Sequence, residues 1–378
     1  LRGISSGRHR AGVLPGVIDP HVHLRDWGQA AKETLRHGLS VAWRAGLDGV
    51  FEMPNTDPPL VTRDAILRRI QDADTARRAL GIPIFHGLYA GVTAVPRQIE
   101  EAVRLWRELF PRVVGLKMFA GHSTGQMGVV DPREQALVYR TLAALDFTGV
   151  LAVHCEKEQL MRPQEWDPAK PVSHARARPP AAEVASVDDQ VKLAGKARFK
   201  GTLHVCHIST PWAVDLLRGK HDGGQQPAER GEALRVTCGL TPHHALLDTT
   251  MMERPAGMLL KVNPPLRPLP MPALMLQRLE AGDIDWIETD HAPHTRADKV
   301  EKFASGFPGL AFLPRFVRRL SVQGFSAERI QELTHGAVCR VFGLDIHPTG
   351  RAAEPGLEKE YEFDAFAVLE RPGQPFER

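Results

Sequence analysis

The 378-residue sequence is poor in cysteine, with 4 residues, and in aromatic side chains, which make up 6%. The cysteines form no C-x-x-C pair and have no spacing typical of a disulfide framework: Cys155, Cys206, Cys238 and Cys339. This scarcity predicts a reducing, cytoplasmic compartment. Cys155 and Cys206 each adjoin a histidine. Because adjacent residues on a strand face opposite ways, we expect both thiols to point into packing, away from any site that the histidines form.

Long hydrophobic runs and a strong charge of one sign are also absent. No apolar stretch is long enough to span a bilayer and no signal peptide is evident, so we expect no membrane association. The net charge of +3 is too small to indicate a nucleic-acid-binding surface. The pairs Arg68-Arg69 and Arg77-Arg78 lie at helical spacing among apolar residues, where solvated outer faces are expected.

A regular alternation of two patterns runs through most of the chain. Short β-branched or apolar runs alternate with longer segments of helical period, which is typical of βα units around a parallel sheet. Eight such runs favour a (β/α)₈ TIM barrel. The predicted strands are residues 13–23, 49–53, 84–89, 113–119, 150–154, 202–208, 234–238 and 284–289. Thr62 and Thr210 are predicted helix N-caps, and Gly46, Gly81 and Gly219 are predicted helix stops.

Three segments are predicted along the chain. Residues 1–12 form a polar lead-in, residues 13–344 the barrel, and residues 345–378 a tail of uncertain order. The helical pattern of residues 326–333 continues into 337–343 and is expected to close the barrel. Within the tail only residues 363–369 are predicted as a strand. The two termini together are expected to form a short accessory segment beside the barrel; whether this segment is a complete accessory domain stays open.

Chemically apt side chains recur at the carboxyl ends of the predicted strands, where barrels of this kind place their chemistry. His21 and His23 alternate along the first strand, so both imidazoles face one way and can share a metal ion. His154, His207 and Asp290 end three later strands. A single histidine at a strand end is more often structural and a single aspartate is more often a helix cap, but their recurrence favours a metal site.

Lys117 ends the fourth predicted strand within an apolar run. Burial beside cations would favour the neutral amine, which can add CO₂ to form a carbamate that bridges two metals. A lysine that extends to solvent or pairs with an acid is the alternative, and spacing alone leaves both open. His243 and His244, at the end of the seventh strand, are interpreted as structural residues or as residues that contact the metal ligands without binding metal themselves.

These residues fall in motifs that resemble the amidohydrolase superfamily, and within it the dihydroorotase family, over about residues 13 to 345. The motifs are specific in combination: Asp19-Pro20-His21-Val22-His23-Leu24-Arg25, Met53-Pro54-Asn55-Thr56, Gly115-Leu116-Lys117, His154-Cys155-Glu156, His207-Ile208-Ser209-Thr210, Asn263-Pro264-Pro265-Leu266-Arg267 and Thr289-Asp290-His291-Ala292-Pro293-His294. Trp27 stands where the resemblance leads us to expect proline.

The resemblance implies roles for individual residues. His21, His23 and Asp290 would bind a first metal, His154 and His207 a second, and carboxylated Lys117 both. Arg25, Asn55 and His294 would hold the carboxylate of the substrate. Asn263 would be a further substrate contact, at the edge of the ring. Residues 120–125 resemble a loop that closes over substrate, with Thr124 as the contact; a plain glycine-rich loop is the alternative.

The resemblance also implies an activity. It is the reversible hydrolysis of the cyclic amide of L-dihydroorotate to N-carbamoyl-L-aspartate in pyrimidine biosynthesis, with two divalent ions, most often Zn²⁺, and Asp290 as general acid and base. A hydantoinase, an allantoinase and a non-catalytic homologue that scaffolds aspartate transcarbamoylase are the alternatives. A homodimer and an association with aspartate transcarbamoylase both stay open.

Overall fold

The computed structural model describes residue 14 and residues 16–122, 127–220 and 234–370. The predicted lead-in lies outside the described residues, as does Thr124. The strands are β1 Ile18–Val22, β2 Gly49–Glu52, β3 Phe85–Gly91, β4 Val113–Ala120, β5 Val150–Cys155, β6 Thr202–Val205, β7 Arg235–Leu240 and β8 Trp286–Ile287. The α-helices are α1 Leu35–Arg44, α2 Arg63–Leu80, α3 Pro96–Leu109, α4 Pro132–Ala144, α5 Ser173–Ala177, α6 Pro180–Lys196, α7 Pro211–Arg218, α8 Pro242–Leu246, α9 Met271–Glu280, α10 Arg296–Glu301, α11 Leu313–Val322, α12 Ala327–Gln331 and α13 Ala337–Phe342.

The strands form one parallel sheet in the order β1 to β8, each hydrogen-bonded to the next. The ring closes through a parallel bridge between Val22 and His291, and the amide of His23 donates to the carbonyl of His291 at 2.7 Å. Helices occupy every crossover between consecutive strands, as parallel pairing requires. The predicted (β/α)₈ barrel is therefore confirmed.

Helix boundaries follow the local signals in the sequence. Thr62 caps α2 by accepting from the amide of Ala65, and Thr210 caps α7 in the same way. Gly81 and Gly219 end these helices in the left-handed conformation, which glycine adopts without steric cost. Gly46, at φ 88°, follows the last residue of α1 by two positions. The predicted caps and stops are confirmed.

The barrel interior is closed at the amino-terminal ends of the strands. Phe51, Tyr89 and Trp286 fill the lower interior, and Phe342 of α13 packs against all three, with ring centroids 5.0 to 6.2 Å apart. Their burial removes several hundred Å² of aromatic surface from water. The opposite mouth, where the strands end, is the part of the interior that contains polar side chains.

Two predicted strands end earlier than expected. The strands end at Val205 and Ile287, although they were predicted to continue to residues 208 and 289. Cys206 and Glu288 still donate their amides to the neighbouring strands, and the chain then turns away at His207, with φ 37°, and at Asp290, with φ 49°. A positive φ costs a non-glycine residue about 1–2 kcal/mol and is incompatible with strand geometry. Both residues that break the strands are predicted site residues.

The tail differs from the sequence prediction. The strand predicted at residues 363–369 is wrong, because Ala365–Leu369 forms a 3₁₀ helix. Phe366 stacks on Phe312 with ring centroids 3.7 Å apart, and Tyr361 donates its hydroxyl to Glu33 at 3.0 Å. Residues of the tail therefore pack on the barrel, while the predicted boundary at residue 344 stays a prediction.

The expectation of solvated arginine pairs is wrong for one arginine. Arg68 is exposed, but the side chain of Arg69 is fully buried beneath the β1 loop. Apolar spacing along α2 cannot distinguish an outward arginine from one that meets a buried acid.

Among the described helices, none combines the length and the apolar character needed to cross a membrane.

Candidate metal centre and active site

Three predicted ligands meet above β1 and β8. Nε2 of His23 lies 3.1 Å from Oδ1 of Asp290, and Nε2 of His21 lies 3.4 Å from the same oxygen. Two ligand atoms of a tetrahedral Zn²⁺, each at about 2.0–2.1 Å from the ion, are separated by about 3.3 Å. Within the described residues, these three side chains form one of the groups compact enough to hold a metal ion.

A second pair of imidazoles lies beside the first group. Nδ1 of His154 is 3.3 Å from Nε2 of His207, again the edge length of a tetrahedral site. The ring of His207 is centred 5.0 Å from that of His154 and 5.0 Å from that of His21. The structure therefore brings all four predicted histidine ligands to the same mouth of the barrel.

Lys117 lies under these rings. Its side chain is fully buried, and Nζ donates to Sγ of Cys206 at 3.1 Å and lies 4.9 Å from the centre of the Phe119 ring. This burial disagrees with a lysine that extends to solvent, and among the described residues no acid lies within ion-pair distance of Nζ, which disagrees with the other predicted alternative. Cys206 also corrects an expectation, because its thiol faces the lysine inside the barrel, on the same face of the chain as His204; the positive φ of His207 breaks the alternation, so His207 and Cys206 both face inward.

Carboxylates behind the imidazoles determine which ring nitrogen faces the site. Oε1 of Glu288 is 3.5 Å from Nδ1 of His21 and accepts from the amide of His207 at 2.5 Å. Oε2 of Glu156 is 3.1 Å from Nε2 of His154. These carboxylates lie beside the ring nitrogens that face away from the site, so Nε2 of His21 and Nδ1 of His154 are the nitrogens directed to it.

Asn55 supports His23 in the same way. Its amide oxygen lies 2.5 Å from Nδ1 of His23 and can only accept, so Nδ1 is the donor; Nε2, 3.1 Å from Oδ1 of Asp290, is then the nitrogen available to a metal ion held between the two. Asn55 was predicted as a substrate contact. The structure adds a contact with a candidate ligand, and the sequence contained no signal for it.

Burial favours the neutral form, which binds metal, in three of the four imidazoles; for His21 the neighbouring Cys206 and Glu288 outweigh burial and raise the pKa to about 10. Burial lowers the pKa of His23 to about 4, despite the nearby carboxylate of Asp290. Burial also lowers the pKa of His154 and of His207, the latter well below its ordinary value. Burial alone would raise the pKa of Asp290, but His23 and His21 hold it well below the usual range, so this carboxyl is ionised. Neutral histidines around a carboxylate are a donor set that divalent cations prefer.

Arg25 and His294 lie beside this cluster. Nε of Arg25 donates to the carbonyl of Pro293 at 3.2 Å, and one Nη donates to Nε2 of His294 at 3.3 Å. The other terminal nitrogen, Nη1, is buried and has no hydrogen-bond partner in the part of the chain that the structure describes. Burial lowers the pKa of Arg25 to about 10, so the guanidinium remains charged at neutral pH. A buried, charged donor of this kind requires an anionic acceptor.

The cluster borders a small pocket with a volume of about 20 Å³. Asn263 lies in its wall, where Oδ1 is 2.8 Å from Nε2 of His174 and accepts from Ser305 at 3.2 Å. The lining residues are His21, His23, Arg25, Asn55, Phe119, His154, His207, Asn263, Asp290, Ala292, Ser305 and Gly306. Most predicted site residues therefore surround one cavity; Thr124 lies outside the described residues.

The remaining predicted histidines are also placed. Nε2 of His244 is 3.1 Å from the carbonyl of Pro264, so this ring supports the loop that carries Asn263. His243 is buried between His244 and Phe307, with ring centroids 4.4 and 5.2 Å away. Neither belongs to the compact metal-type groups found among the described residues.

The fold and site together resemble a known group of hydrolases. No family model matches the chain. Among solved structures, the L-hydantoinase (dihydropyrimidinase) from Arthrobacter aurescens superposes with a TM-score of 0.73 at 25% identity, covering 91% of this chain and 74% of that one. The class is thereby defined: a hydrolase of the amidohydrolase superfamily that acts on cyclic amides.

Sequence relatives narrow the class. The dihydroorotase of Halobacterium salinarum is 34% identical over 339 residues, which cover 88% of this chain and 72% of the relative. The dihydroorotase of Methanosarcina mazei is 32% identical over 371 residues, covering 96% and 76%. The chain belongs to the dihydroorotase family.

Proposed function

We propose that the protein catalyses the reversible hydrolysis of L-dihydroorotate to N-carbamoyl-L-aspartate. The observation that supports this substrate is the buried Nη1 of Arg25, which lacks a partner beside the pocket. A carboxylate on the ring would accept from it, and His294 and Asn55 lie within reach of the same group. Carboxylate recognition separates this activity from that of a hydantoinase or an allantoinase, whose ring would leave the guanidinium unpaired.

We propose that two divalent cations are held at the mouth of the barrel. His21, His23 and Asp290 would hold one ion, and His154 and His207 the other. The 3.1 to 3.4 Å separations between the facing donor atoms support this assignment. Imidazole and carboxylate ligands suit Zn²⁺, with Mn²⁺ and Co²⁺ as alternatives. When bound, such a pair lowers the pKa of a shared water enough to supply a nucleophile near neutral pH.

Lys117 is proposed as the ligand common to both ions, after its amine has added CO₂. Its burial between the two pairs of histidines and the absence of an acidic partner for Nζ among the described residues support this role. The resulting carbamate would supply one oxygen to each ion. Its negative charge would offset part of the charge of the cations in a site of low solvent exposure.

Asp290 is proposed as the general base and acid. In hydrolysis the oxygen of a water molecule attacks the amide carbonyl that is bonded to the methylene carbon of the ring, the carbon without the carboxylate. Asp290 accepts a proton from this water. It then passes this proton to the ring nitrogen as the carbon–nitrogen bond breaks, and it accepts the second water proton as the new carboxyl group ionises. In the reverse direction protonated Asp290 gives up its proton as N-carbamoyl-L-aspartate closes. Cyclisation should therefore be favoured at lower pH and hydrolysis at higher pH.

All of these groups come from one chain, so the proposed catalysis requires no second copy. A homodimer and an association with aspartate transcarbamoylase are separate proposals, which sedimentation of the protein alone and with that enzyme would examine. A purely scaffolding role is disfavoured because every proposed ligand is present and all of them except Lys117 line one cavity. The protein is proposed to act in the cytoplasm.

The proposed function is tested by assaying dihydroorotate and hydantoin with the same metal-loaded protein. We expect turnover of dihydroorotate at least about a hundredfold more efficient, because a site built around a buried charged donor rejects a ring without its acceptor. Equal turnover of both rings, or turnover of hydantoin alone, would remove the carboxylate from the proposal.

Asp290→Asn provides the matching test of mechanism. We expect most of the metal to be retained and turnover to fall by about 10³-fold or more, since the proton carrier is lost. Asp285→Asn is the control, because Asp285 lies at the opposite end of the same strand and pairs with Arg218 at 2.5 Å. Near-normal turnover in Asp290→Asn would exclude this residue as the proton carrier.

A further inference from the structure

The loop after β1 has an unusual backbone. Arg25, Asp26 and Trp27 have φ values of 52°, 65° and 49°, so three consecutive residues with side chains lie in the left-handed region. Each such residue costs about 1–2 kcal/mol, so an isolated loop would relax to another conformation. The surrounding structure must therefore hold it, and the first of the three is the proposed carboxylate ligand.

Arg69 of α2 supplies the contact that holds this loop. Its Nη2 donates to the backbone carbonyl of Arg25 at 3.0 Å, so a buried side chain binds the strained residue directly. The same guanidinium makes a two-pronged pair with Glu52 at the end of β2, with Nε donating at 2.9 Å. Oε2 of Glu52 in turn lies 3.0 Å from Nε2 of His86 on β3.

This arrangement is rigid because it is buried and paired on several sides. Arg69, Glu52 and His86 are all fully buried. Burial alone would raise the pKa of Glu52, but Arg69 and His86 lower it to about 2, so the pair stays ionised at neutral pH. A planar guanidinium held by two parallel hydrogen bonds has little freedom left, and its remaining donor has a fixed direction.

The third residue of the loop closes over the same arginine. The guanidinium of Arg69 lies 5.1 Å from the centre of the Trp27 ring, and Nε1 of Trp27 donates to Asp72 of α2 at 2.8 Å. Asp26 accepts from the amides of Trp27 and Leu35. The loop is thus attached to α2 at both ends, with Arg69 between its backbone and its indole.

We propose that Arg69 is a positioning residue for substrate recognition, acting through Arg25. By holding the strained carbonyl of Arg25, it directs the Arg25 side chain to Pro293 and His294, beside the pocket that Arg25 lines. This inference rests on the proposed carboxylate-bearing substrate. It assigns a role in specificity to a residue that touches neither substrate nor any proposed metal ligand.

Arg69→Lys tests the proposal, since lysine keeps the charge but cannot bind Glu52 and the Arg25 carbonyl together. We expect the KM for dihydroorotate to rise about tenfold with kcat changed less than about threefold, because binding and not proton transfer is affected. Metal content should stay at the wild-type value. Arg329→Lys is the matched control, because Arg329 also donates to backbone carbonyls, those of Leu279 and Ile284, at the far end of the barrel.

A double-mutant cycle distinguishes positioning from general stabilisation. If Arg69 acts through Arg25, then Arg69→Lys should have almost no further effect on kcat/KM in an Arg25→Lys background. A general structural role would lower kcat/KM by the same factor in both backgrounds and would overturn the proposal. If Arg69→Lys does not fold, Trp27→Phe replaces it in the same double-mutant cycle with Arg25→Lys. Trp27 is partly exposed, and its replacement weakens the attachment of the same loop to α2.

The outcomes separate this inference from the proposed function. If the wild-type protein does not turn over dihydroorotate, the proposed function fails and the inference fails with it. If the wild-type protein is active and Arg69→Lys matches Arg329→Lys in KM, the positioning role alone is overturned. A raised KM that disappears in the Arg25→Lys background supports both.

Discussion

Replacing Glu33 with glutamine should destabilise the protein in a way that depends on pH. Glu33 is buried and accepts three contacts of 3.0 Å, from Nε2 of His291, Nδ1 of His37 and the hydroxyl of Tyr361. His291 follows the proposed proton carrier Asp290 in sequence, and Tyr361 belongs to the tail. One carboxylate therefore joins the tail to the segment that carries the catalytic group.

The magnitude follows from the pKa of this carboxyl. Burial alone would raise the pKa of Glu33, but His291 and His37 lower it from 4.5 to about 2. At roughly 1.4 kcal/mol per pH unit, this difference corresponds to about 3 kcal/mol of unfolding free energy. Because the folded-state pKa lies below the unfolded one, the stabilisation is fully present above pH 4.5 and is lost as the pH falls to 2.

Urea denaturation of the wild type and Glu33→Gln at several pH values from 7 to 3.5 measures this effect. We expect a difference of about 3 kcal/mol at pH 7 that narrows to about 2 kcal/mol by pH 3.5. Glu108→Gln is the control, since Glu108 pairs with Arg63 on the surface and should contribute less than about 1 kcal/mol. A difference that is small, or that does not change with pH, would refute the reasoning.

Two further substitutions examine the proposed site. Arg25→Lys should raise the KM for dihydroorotate about tenfold or more, because a point charge replaces a planar fork; an unchanged KM in steady-state assays would count against carboxylate recognition by Arg25. Glu288→Gln should weaken metal binding about 10- to 100-fold, because this carboxylate orients His21 and the backbone of His207; chelator competition measures it, and wild-type affinity would contradict that role.

The barrel and most of the site could be predicted from the sequence because their signals are local. Strand and helix periods are set over a few residues, and His21, His23, His154 and Asp290 each stand at the end of an apolar run. The carboxyl ends of the parallel strands of a barrel all lie at the same mouth, so these residues come together without any knowledge of how the side chains pack. Side-chain chemistry then narrows what the assembled group can bind.

Contacts between distant elements could not be predicted in this way. Arg69 has the helical spacing of an exposed residue, and only the fold shows that Glu52 and the Arg25 carbonyl lie opposite it. Glu288, two residues before Asp290, offered one usable signal, a carboxylate in a buried strand. The positive φ of His207, which lets its ring face the interior together with the adjacent Cys206, could not be read from any residue pattern.

The metal content of the protein tests the central claim most directly. We expect elemental analysis to find about two divalent ions per chain in the wild type, and about one or fewer in Lys117→Ala, because the ligand common to both ions is removed. A wild-type chain that binds no metal after loading would contradict the account. So would a Lys117→Ala variant that keeps both ions.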